Sequence, residues 1–327
     1  MESPLPDQCC PPCQRLWPTP KRGGRCRSSK DHARIMQTSS RPSCMSGLAG
    51  ASTIHEQQPI PAMTRLRFST AVFVSLAFAG SAHAASSAWQ SMEGAKLRLV
   101  TEDQAGPDGL LRGALEIRLL PGWKTYWREP GDAGVPPTLT IVQGKNVTGV
   151  SMHFPAPHRY KDEWSTWAGY SEPMAIALEF PIEDPAMPVA METSAFLGIC
   201  KDICIPVQMS FSLQADPRAP ASEPLVEAAF AALPPPPRAG FSVTGARLND
   251  GMLTIEANVP AGEALPDLFL APGGGWMLDV PTLSRRDGDK LTFQAKVLSK
   301  PKAADGLSAD FTLTSGDEAV SGQFSVP

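Results

Sequence analysis

The sequence predicts an all-β fold made of antiparallel β-sandwiches, and two observations lead to that prediction. Apolar and polar residues alternate with a period of two in several segments, a pattern typical of strands that bury one face. The apolar members of four such segments are Leu115, Ile117 and Leu119; Met209, Phe211 and Leu213; Leu253, Ile255, Ala257 and Val259; and Phe293, Ala295 and Val297. Turns rich in proline and glycine separate these short segments, as they do in sandwich folds.

One helix is predicted between two β regions. Its apolar face has the spacing i, i+3, i+4, i+7 and consists of Val226, Ala229, Phe230 and Leu233. Ser222 can cap this helix, and the run Pro234 to Pro237 ends it because proline lacks a backbone donor and clashes with the preceding turn. We therefore predict a first β-sandwich at 88–215, a helix with a proline-rich linker at 216–239, and a second, smaller β domain at 240–327.

The segment 63–84 is typical of a secretory signal peptide. Arg65 and Arg67 precede an apolar run at 68–79, and Ala82-His83-Ala84 has the small-x-small pattern of a signal peptidase site. The run is shorter than the roughly 20 residues that span a bilayer, and its flanks favour export over a buried core helix. The mature chain is expected to begin near Ala85 and to be periplasmic.

Residues 1–62 contain five of the seven cysteines but show no hydrophobic periodicity. Their Cys and His residues lack the paired spacing of a zinc site. Because a signal peptide leads the chain that it exports, translation is expected to start at Met63. The upstream extension, if it is made, is expected to be disordered.

Removal of the first 84 residues makes the chain acidic. Those residues hold 10 of the 29 Lys and Arg and 4 of the 33 Asp and Glu, which leaves 19 basic and 29 acidic side chains. A net charge near −10 argues against nucleic acid or anionic lipid as a partner. No later segment reaches transmembrane length, so the product is not expected to span a membrane.

Cys200 and Cys204 are the only cysteines after the predicted signal. A closely spaced pair in an exported protein is typical of thiol–disulfide chemistry, of a structural disulfide or of a soft-metal site. Residues four apart on a straight strand are roughly 13 Å apart, whereas a disulfide requires Cα atoms about 4.4–6.8 Å apart. The chain must therefore turn at Lys201-Asp202-Ile203, either at a hairpin tip or in one helical turn. Lys201 would favour a thiolate if its ammonium points toward the sulfurs, and is otherwise solvated.

Three stretches of the first β region are distinctive. They are Gly122 to Gly134, which reads GWKTYWREPGDAG, Phe154 to Trp164, which reads FPAPHRYKDEW, and Leu197 to Pro206, which reads LGICKDICIP. In this order they resemble the periplasmic N-terminal domain of the DsbD thiol–disulfide reductases, especially the ScsB-like branch. The resemblance covers roughly residues 95–215.

The resemblance implies an immunoglobulin-like sandwich with a redox-active cysteine pair. In the family, this pair takes electrons from a membrane-embedded reductase and passes them to oxidised periplasmic proteins. By position, Asp162, Glu163 and Trp164 would form a cap loop that shields the pair, and its carboxylates could also handle a proton. Cys204 would form the mixed disulfide with a partner, and Cys200 would resolve it.

Two features depart from the family pattern. The best-known members have five residues between their cysteines, where this sequence has three, and this sequence shows neither a membrane-spanning part nor a thioredoxin-like Cys-x-x-Cys domain. The prediction is therefore a stand-alone protein-disulfide reductase component that is fed by a membrane reductase. Trp167 and Tyr170 could line the cap, although aromatic residues of a β protein more often belong to its core. The exchange needs only the two cysteines, so no metal or organic cofactor is predicted.

Two other classes of protein remain open. Cys-x3-Cys followed by proline also occurs in Sco-type copper proteins, and Met152, His153 or His158 could supply a third Cu(I) ligand. Those proteins have a thioredoxin-like fold, which the β pattern does not support. The second alternative is a β-sandwich with an inert disulfide that acts as a binding module. The second β region contains neither Cys nor His, and we expect it to be a structural or docking module.

Overall fold

The computed structural model describes residues 85–131, 134–161, 165–219, 223–262, 264–302 and 305–327. All of these residues belong to one compact unit. The predicted signal peptide at 63–84 and the extension at 1–62 lie outside the described residues. The all-β prediction is confirmed, because the described parts of the chain form twenty strands and a single helix.

The first twelve strands form two antiparallel sheets. In chain order the strands are β1 (Ala85–Ser86), β2 (Gln90–Met92), β3 (Ala95–Thr101), β4 (Leu110–Leu119), β5 (Lys124–Tyr126), β6 (Thr138–Lys145), β7 (Ser151–His153), β8 (His158–Lys161), β9 (Thr166–Tyr170), β10 (Met174–Pro181), β11 (Val189–Cys200) and β12 (Cys204–Ala215). One sheet has the order β1-β3-β4-β10-β7, with β2 added beside β3. The other has the order β12-β11-β5-β9-β8, with β6 added beside β11.

These two sheets enclose a common hydrophobic core, which confirms the immunoglobulin-like sandwich. Leu97, Leu115 and Ile176 of the first sheet are fully buried in one cluster with Leu197 and Phe211 of the second. The period-two alternation of the sequence places these side chains on the inner faces. We call this part of the molecule the first sandwich.

The predicted helix is confirmed as α1 (Pro224–Ala231). Glu223, not the predicted Ser222, occupies the N-cap position and makes no side-chain cap hydrogen bond. Pro224 at the start of the helix explains the shift, because its fixed φ suits the first helical turn and needs no backbone donor. Val226 and Ala229 pack on the outer face of the first sheet, in a cluster with Ala177.

The remaining strands form the second sandwich, which is smaller. They are β13 (Ser242–Asn249), β14 (Met252–Asn258), β15 (Pro266–Pro272), β16 (Met277–Leu278), β17 (Thr282–Asp287), β18 (Lys290–Ser299), β19 (Leu307–Ser315) and β20 (Glu318–Val326). One sheet has the order β13-β14-β18-β16 with β17 beside β18, and the other has the order β15-β19-β20. Its core includes Ile255 and Phe293 of one sheet and Leu268 and Phe311 of the other. The exact domain boundaries at 88–215, 216–239 and 240–327 stay a prediction.

Candidate functional site

The two cysteines close the end of a long hairpin. Strands β11 and β12 pair antiparallel without a register shift, and their last pair is Cys200 with Cys204. The two cysteines form a disulfide, and their Cα atoms are 4.1 Å apart. Lys201, Asp202 and Ile203 make an exposed turn, in which the backbone N–H of Lys201 donates to the carbonyl of Ile203 over 3.2 Å. The hairpin-tip prediction is correct, and the helical-turn alternative is wrong.

The disulfide lies on the outer face of its sheet. Leu197 and Ile199 are fully buried in the core of the first sandwich, and side chains alternate between the two faces of a strand. Cys200 therefore faces away from that core, although it is only 5% exposed. Cys204, at the start of the edge strand β12, is exposed. One sulfur is thus covered by other residues, whereas a partner can reach the other.

The phenol of Tyr126 contacts both sulfurs. Its hydroxyl lies 2.8 Å from Cys204 Sγ and 3.0 Å from Cys200 Sγ. Neither sulfur of a disulfide carries a hydrogen, so the hydroxyl is the donor in this oxidised state. Tyr126 belongs to β5, which pairs with the last two residues of β11, and it is itself buried.

Gly198 provides the space for the Tyr126 ring. A Cβ atom on Gly198 would lie 2.9 Å from Cε2 of Tyr126 and 3.0 Å from Cβ of Val135. Since real side chains avoid such short distances, a larger residue here would displace the ring from the sulfurs. The hydroxyl of Thr125 also donates to the Gly198 carbonyl over 3.0 Å, which ties β5 to the hairpin beside the disulfide.

Two more aromatic rings extend the cover over Cys200. Trp167 meets Tyr126 edge-on at a centroid distance of 5.5 Å, and Tyr160 stacks on Trp167 at 4.2 Å with an interplanar angle of 12°. Tyr160 and Trp167 are register partners on β8 and β9. We call Tyr126, Trp167 and Tyr160 the aromatic wall. Together with Val135, they form one apolar cluster with Cys200, which excludes water from that sulfur.

A lysine lies beside the cysteine pair. Lys124 is the register partner of Cys200, so the two side chains leave the sheet on the same face. Its ammonium lies 5.0 Å from the ring centroid of Trp167, which fits a cation–π contact. Lys201, which the sequence predicts beside the sulfurs or in solvent, is exposed at the hairpin tip. A positive charge near the pair favours a thiolate once the disulfide is reduced.

The predicted cap-loop residues and the two aromatic residues predicted beside them do not all lie at the disulfide. Asp162, Glu163 and Trp164, the predicted cap loop, lie outside the described residues. Trp167 belongs to the aromatic wall. Tyr170 does not: its hydroxyl donates to the Pro155 carbonyl over 2.8 Å. Burial raises the pKa of the Tyr170 phenol well above its usual value, against a smaller lowering by Arg128.

The candidate copper ligands do not converge on the cysteines. Met152 packs against the core of the first sandwich, and His153 pairs with Glu179 over 2.9 Å in the opposite sheet. His158 is exposed on β8. Within the described ranges, no group of three or more His, Cys, Asp or Glu side chains could hold a metal ion.

Sequence reasoning missed Tyr126 and Lys124 as site residues. Both belong to the quoted stretch Gly122 to Gly134, and their spacing of two residues on a strand is the signal that they share one face. The sequence contains no comparable signal for the register of β5 on β11. That register is what brings both side chains to the disulfide.

A sandwich with a partly exposed disulfide at a hairpin tip is compatible with a thiol–disulfide exchange domain, and comparisons with known proteins point to the same class. Residues 96–216 match the family described as thiol:disulfide interchange protein DsbD, N-terminal. The chain is similar to the crystal structure of the N-terminal periplasmic domain of ScsB from Proteus mirabilis, with 24% sequence identity and a TM-score of 0.60. That match covers 75% of this chain and 99% of the other, and at this identity it establishes a common fold. No curated protein sequence matches the chain.

The first sandwich thus resembles the N-terminal domains of the DsbD family. The family performs thiol–disulfide interchange, and the cysteine pair of this chain forms the disulfide that such chemistry needs. Across the described ranges, no helix has both the length and the apolar character required to cross a membrane.

Proposed function

We propose that this chain is a periplasmic thiol–disulfide interchange protein. Its Cys200–Cys204 pair accepts electrons from a membrane-embedded thiol reductase and passes them to oxidised periplasmic proteins. The chain is then a component of a protein-disulfide reductase system. The predicted export signal at 63–84 and the periplasmic origin of the similar ScsB domain support this location.

The observation that carries the proposal is the unequal exposure of the two sulfurs. Cys204 is exposed at a hairpin tip, whereas Cys200 is 5% exposed behind the aromatic wall. Exchange with a partner protein requires one sulfur that the partner can reach. It also requires a second sulfur nearby that does not react with other proteins, and the buried position of Cys200 suits that role.

The exchange can be written in two steps. In the reduced protein, the Cys204 thiolate attacks one sulfur of a substrate disulfide, forms a mixed disulfide and releases the other substrate sulfur as a thiolate. The Cys200 thiolate then attacks Cys204 Sγ, which restores the intramolecular disulfide and releases the second substrate thiolate. Two electrons pass to the substrate, and solvent protonates its thiolates. A dithiol of the membrane reductase returns the pair to the reduced state by the same steps in reverse.

Tyr126 and Lys124 would assist the thiolate that these steps require. The Tyr126 hydroxyl is already within 3.0 Å of both sulfurs, and a hydrogen bond to a charged acceptor is about twice as strong as one to a neutral acceptor. Lys124, opposite Cys200, adds a positive charge on the same face. Both groups stabilise the reduced, ionised pair more than the neutral disulfide.

The cap loop of Asp162, Glu163 and Trp164 remains part of the proposal. These three residues connect β8 to β9, the two strands that carry Tyr160 and Trp167 of the aromatic wall. As the family resemblance implies, the loop would shield the cysteine pair until a partner docks. The carboxylates of Asp162 and Glu163 would exchange protons with the thiols during turnover.

The reduction potential of the Cys200–Cys204 disulfide tests the proposal. The folded protein is equilibrated with glutathione buffers of known ratio, free thiols are alkylated, and the oxidised fraction is measured by mass. A working pair is expected above about −300 mV, because structural disulfides of secreted proteins typically lie below that value. A lower potential with slow reduction would favour an inert disulfide. Tight stoichiometric Cu(I) binding by the reduced protein, abolished in Cys200→Ser, would favour the copper alternative.

A further inference from the structure

Two strands of the first sandwich, β5 and β8, lie near the disulfide and close to the second sandwich. Tyr126, the last residue of β5, contacts the sulfurs, while Trp127, directly after the strand, contacts Phe269 of the second sandwich at a centroid distance of 5.9 Å. On β8, Tyr160 belongs to the aromatic wall, while the preceding residue, Arg159, contacts the second sandwich. A residue of the aromatic wall on each strand thus has a direct chain neighbour that contacts the second sandwich.

The Arg159 contact is extensive for a single side chain. Its guanidinium donates two hydrogen bonds to the Asp267 carboxylate, over 2.7 and 3.1 Å, and a third to the Leu268 carbonyl over 2.8 Å. The same guanidinium lies 4.3 Å from the ring centroid of Phe269. The side chains of Arg159 and Asp267 are only 19% and 28% exposed. Such a bidentate, partly buried ion pair fixes the relative orientation of the two side chains as well as their distance.

A second contact fixes β5 in the same way. Trp127 and Phe269 are 1% and 2% exposed, so both rings are removed from water where they meet. Arg128, the next residue, donates to the Asp310 carboxylate over 2.7 Å. The end of β5 is therefore held by an apolar contact and an ion pair, both with the strands β15 and β19 of the second sandwich.

These strands need external support. Strand β8 has four residues and lies at the edge of its sheet, and β5 has three residues. Short strands with few ladder hydrogen bonds open more readily than long central strands. Because Trp127 directly follows Tyr126 and Arg159 directly precedes Tyr160, contacts that hold Trp127 and Arg159 also restrict the positions of Tyr126 and Tyr160.

We propose that the second sandwich acts as an intramolecular clamp that positions the aromatic wall over the disulfide, through Asp267 and Phe269. Trp127 and Arg159 are then positioning residues, since they act on the sulfurs through Tyr126 and Tyr160. The clamp keeps the Cys200 side of the disulfide closed to small thiols and keeps the Tyr126 hydroxyl at the sulfurs. This inference rests on the proposed function only for its biological purpose, because the clamp itself requires no protein partner.

The test compares Asp267→Ala and Phe269→Ala with the unchanged protein. The readout is the rate at which dithiothreitol reduces the folded, oxidised chain, followed by thiol alkylation. Loss of either clamp contact is expected to raise this rate about tenfold, the effect of losing one well-formed interaction on an opening equilibrium. Tryptophan emission is expected to shift at the same time, because Trp127 and Trp167 become more exposed.

Two controls separate the clamp from general destabilisation. Glu256→Ala removes an acidic residue whose partner, Arg247, is exposed and belongs to the second sandwich itself. Ile255→Val deletes one buried methyl group of the second core without touching β5 or β8. Both variants are expected to keep the reduction rate of the unchanged protein. If either control accelerates reduction as strongly as Asp267→Ala, the clamp is refuted.

Two milder substitutions are used if the alanine variants do not fold. Asp267→Asn removes the charge at constant shape, and Phe269→Leu removes the aromatic ring but keeps an apolar side chain. Unchanged reduction rates in both folded variants would overturn the clamp. The test is independent of partner exchange: faster reduction without exchange by any variant supports the clamp but refutes the proposed function. Unchanged reduction rates in the variants, together with normal exchange with partner proteins, would refute the clamp and support the proposed function.

Discussion

The hydroxyl of Tyr126 lies 2.8 Å from the sulfur of Cys204, although 78 positions separate the two residues in the chain. The pairing of β5 with the end of β11 creates this contact. It places a hydrogen-bond donor at the exposed sulfur, where a negative charge develops whenever the disulfide opens.

The first prediction concerns this donor. Tyr126→Phe keeps the ring but removes the hydroxyl, so the reduced pair loses a hydrogen bond to its thiolate. The pH midpoint of Cys204 alkylation is expected to rise by about one unit, since hydrogen bonds to charged groups contribute about 1.5–3 kcal/mol. The reduction potential should become more negative by about 30 mV, the equivalent of about 1.4 kcal/mol. The midpoint is measured from the alkylation rate of the reduced protein as a function of pH, and the potential by equilibration with glutathione buffers.

Tyr160→Phe is the matched control for Tyr126→Phe. Its hydroxyl donates to Ser171 Oγ over 2.8 Å, so its removal deletes a phenolic hydrogen bond away from the disulfide. This variant should keep the alkylation midpoint. Equal midpoints for the unchanged protein and Tyr126→Phe would show that the hydroxyl does not stabilise the thiolate.

The second prediction assigns the two sulfurs. Cys200→Ser leaves the exposed Cys204 without a resolving thiol, so mixed disulfides with partner proteins should accumulate. In Cys204→Ser, the remaining sulfur is covered by the aromatic wall, and trapping should be weak. Non-reducing gels of periplasmic extracts, followed by mass spectrometry, give the result. Equal trapping by both variants would contradict the assignment, and trapping by neither would count against thiol exchange.

The third prediction concerns the space beside the Tyr126 ring. Gly198→Ala places a Cβ atom 2.9 Å from that ring, and overpacking of this kind costs about 1–3 kcal/mol of unfolding free energy. The midpoint of thermal unfolding should therefore be lower in Gly198→Ala. Reduction of the disulfide by dithiothreitol should become faster, because the displaced Tyr126 ring no longer covers the sulfurs. Gly149→Ala is the control, because a Cβ atom there would have no neighbour within 4 Å. A stability of Gly198→Ala equal to that control would refute the packing argument.

The fourth prediction concerns pH-dependent stability. Burial raises the pKa of the Glu102 carboxyl, Arg112 lowers it by less, and Glu227 and Asp108 raise it further. The folded state therefore binds this proton more tightly than the unfolded state, so the contribution of Glu102 to stability falls as pH rises through the raised pKa. Glu102→Gln should be more stable at pH 7 by less than about 1 kcal/mol, because solvent screens a partly exposed group.

The measurement for Glu102 is chemical unfolding between pH 4 and 8. The stability gain of Glu102→Gln should shrink as the pH falls toward the ordinary carboxyl range, where the natural residue is protonated in both states. Glu172→Gln, a change at an exposed glutamate, serves as the control and should show no such trend. A gain that grows toward low pH would have the wrong sign.

The fifth prediction concerns processing. Because the export signal is predicted at 63–84, the periplasmic product should begin at or near Ala85 and contain only Cys200 and Cys204. Intact-mass measurement of the exported protein checks both points. A mature mass that includes residues 1–62 would contradict the predicted start.

How much of the structure the sequence predicts depends on how far apart in the chain the interacting residues lie. The strand β14 could be predicted because Leu253, Ile255 and Ala257 alternate with polar residues, and the cysteine turn because a straight strand cannot bridge four residues. The contact of Arg159 with Asp267 could not be predicted from the sequence, because the two residues are 108 positions apart. Such a pair depends on how two sandwiches pack, which local alternation does not encode. Tyr126 and Tyr160 of the aromatic wall were missed because the registers of β5, β8 and β9 within the first sandwich are not encoded by local alternation either.

The disulfide closes a very small ring, because its two cysteines are only four positions apart. In the chain-entropy account, a cross-link over about five residues restricts the unfolded chain by about 2 kcal/mol, against nearly 5 kcal/mol for a loop of 100 residues. The twelve-pair ladder of β11 and β12 already holds the two ends together. Opening and closing the bond therefore changes little beyond the hairpin tip. Reduction of this bond is therefore expected to leave the strands of the fold in place and to cost no more than about 2 kcal/mol of unfolding free energy.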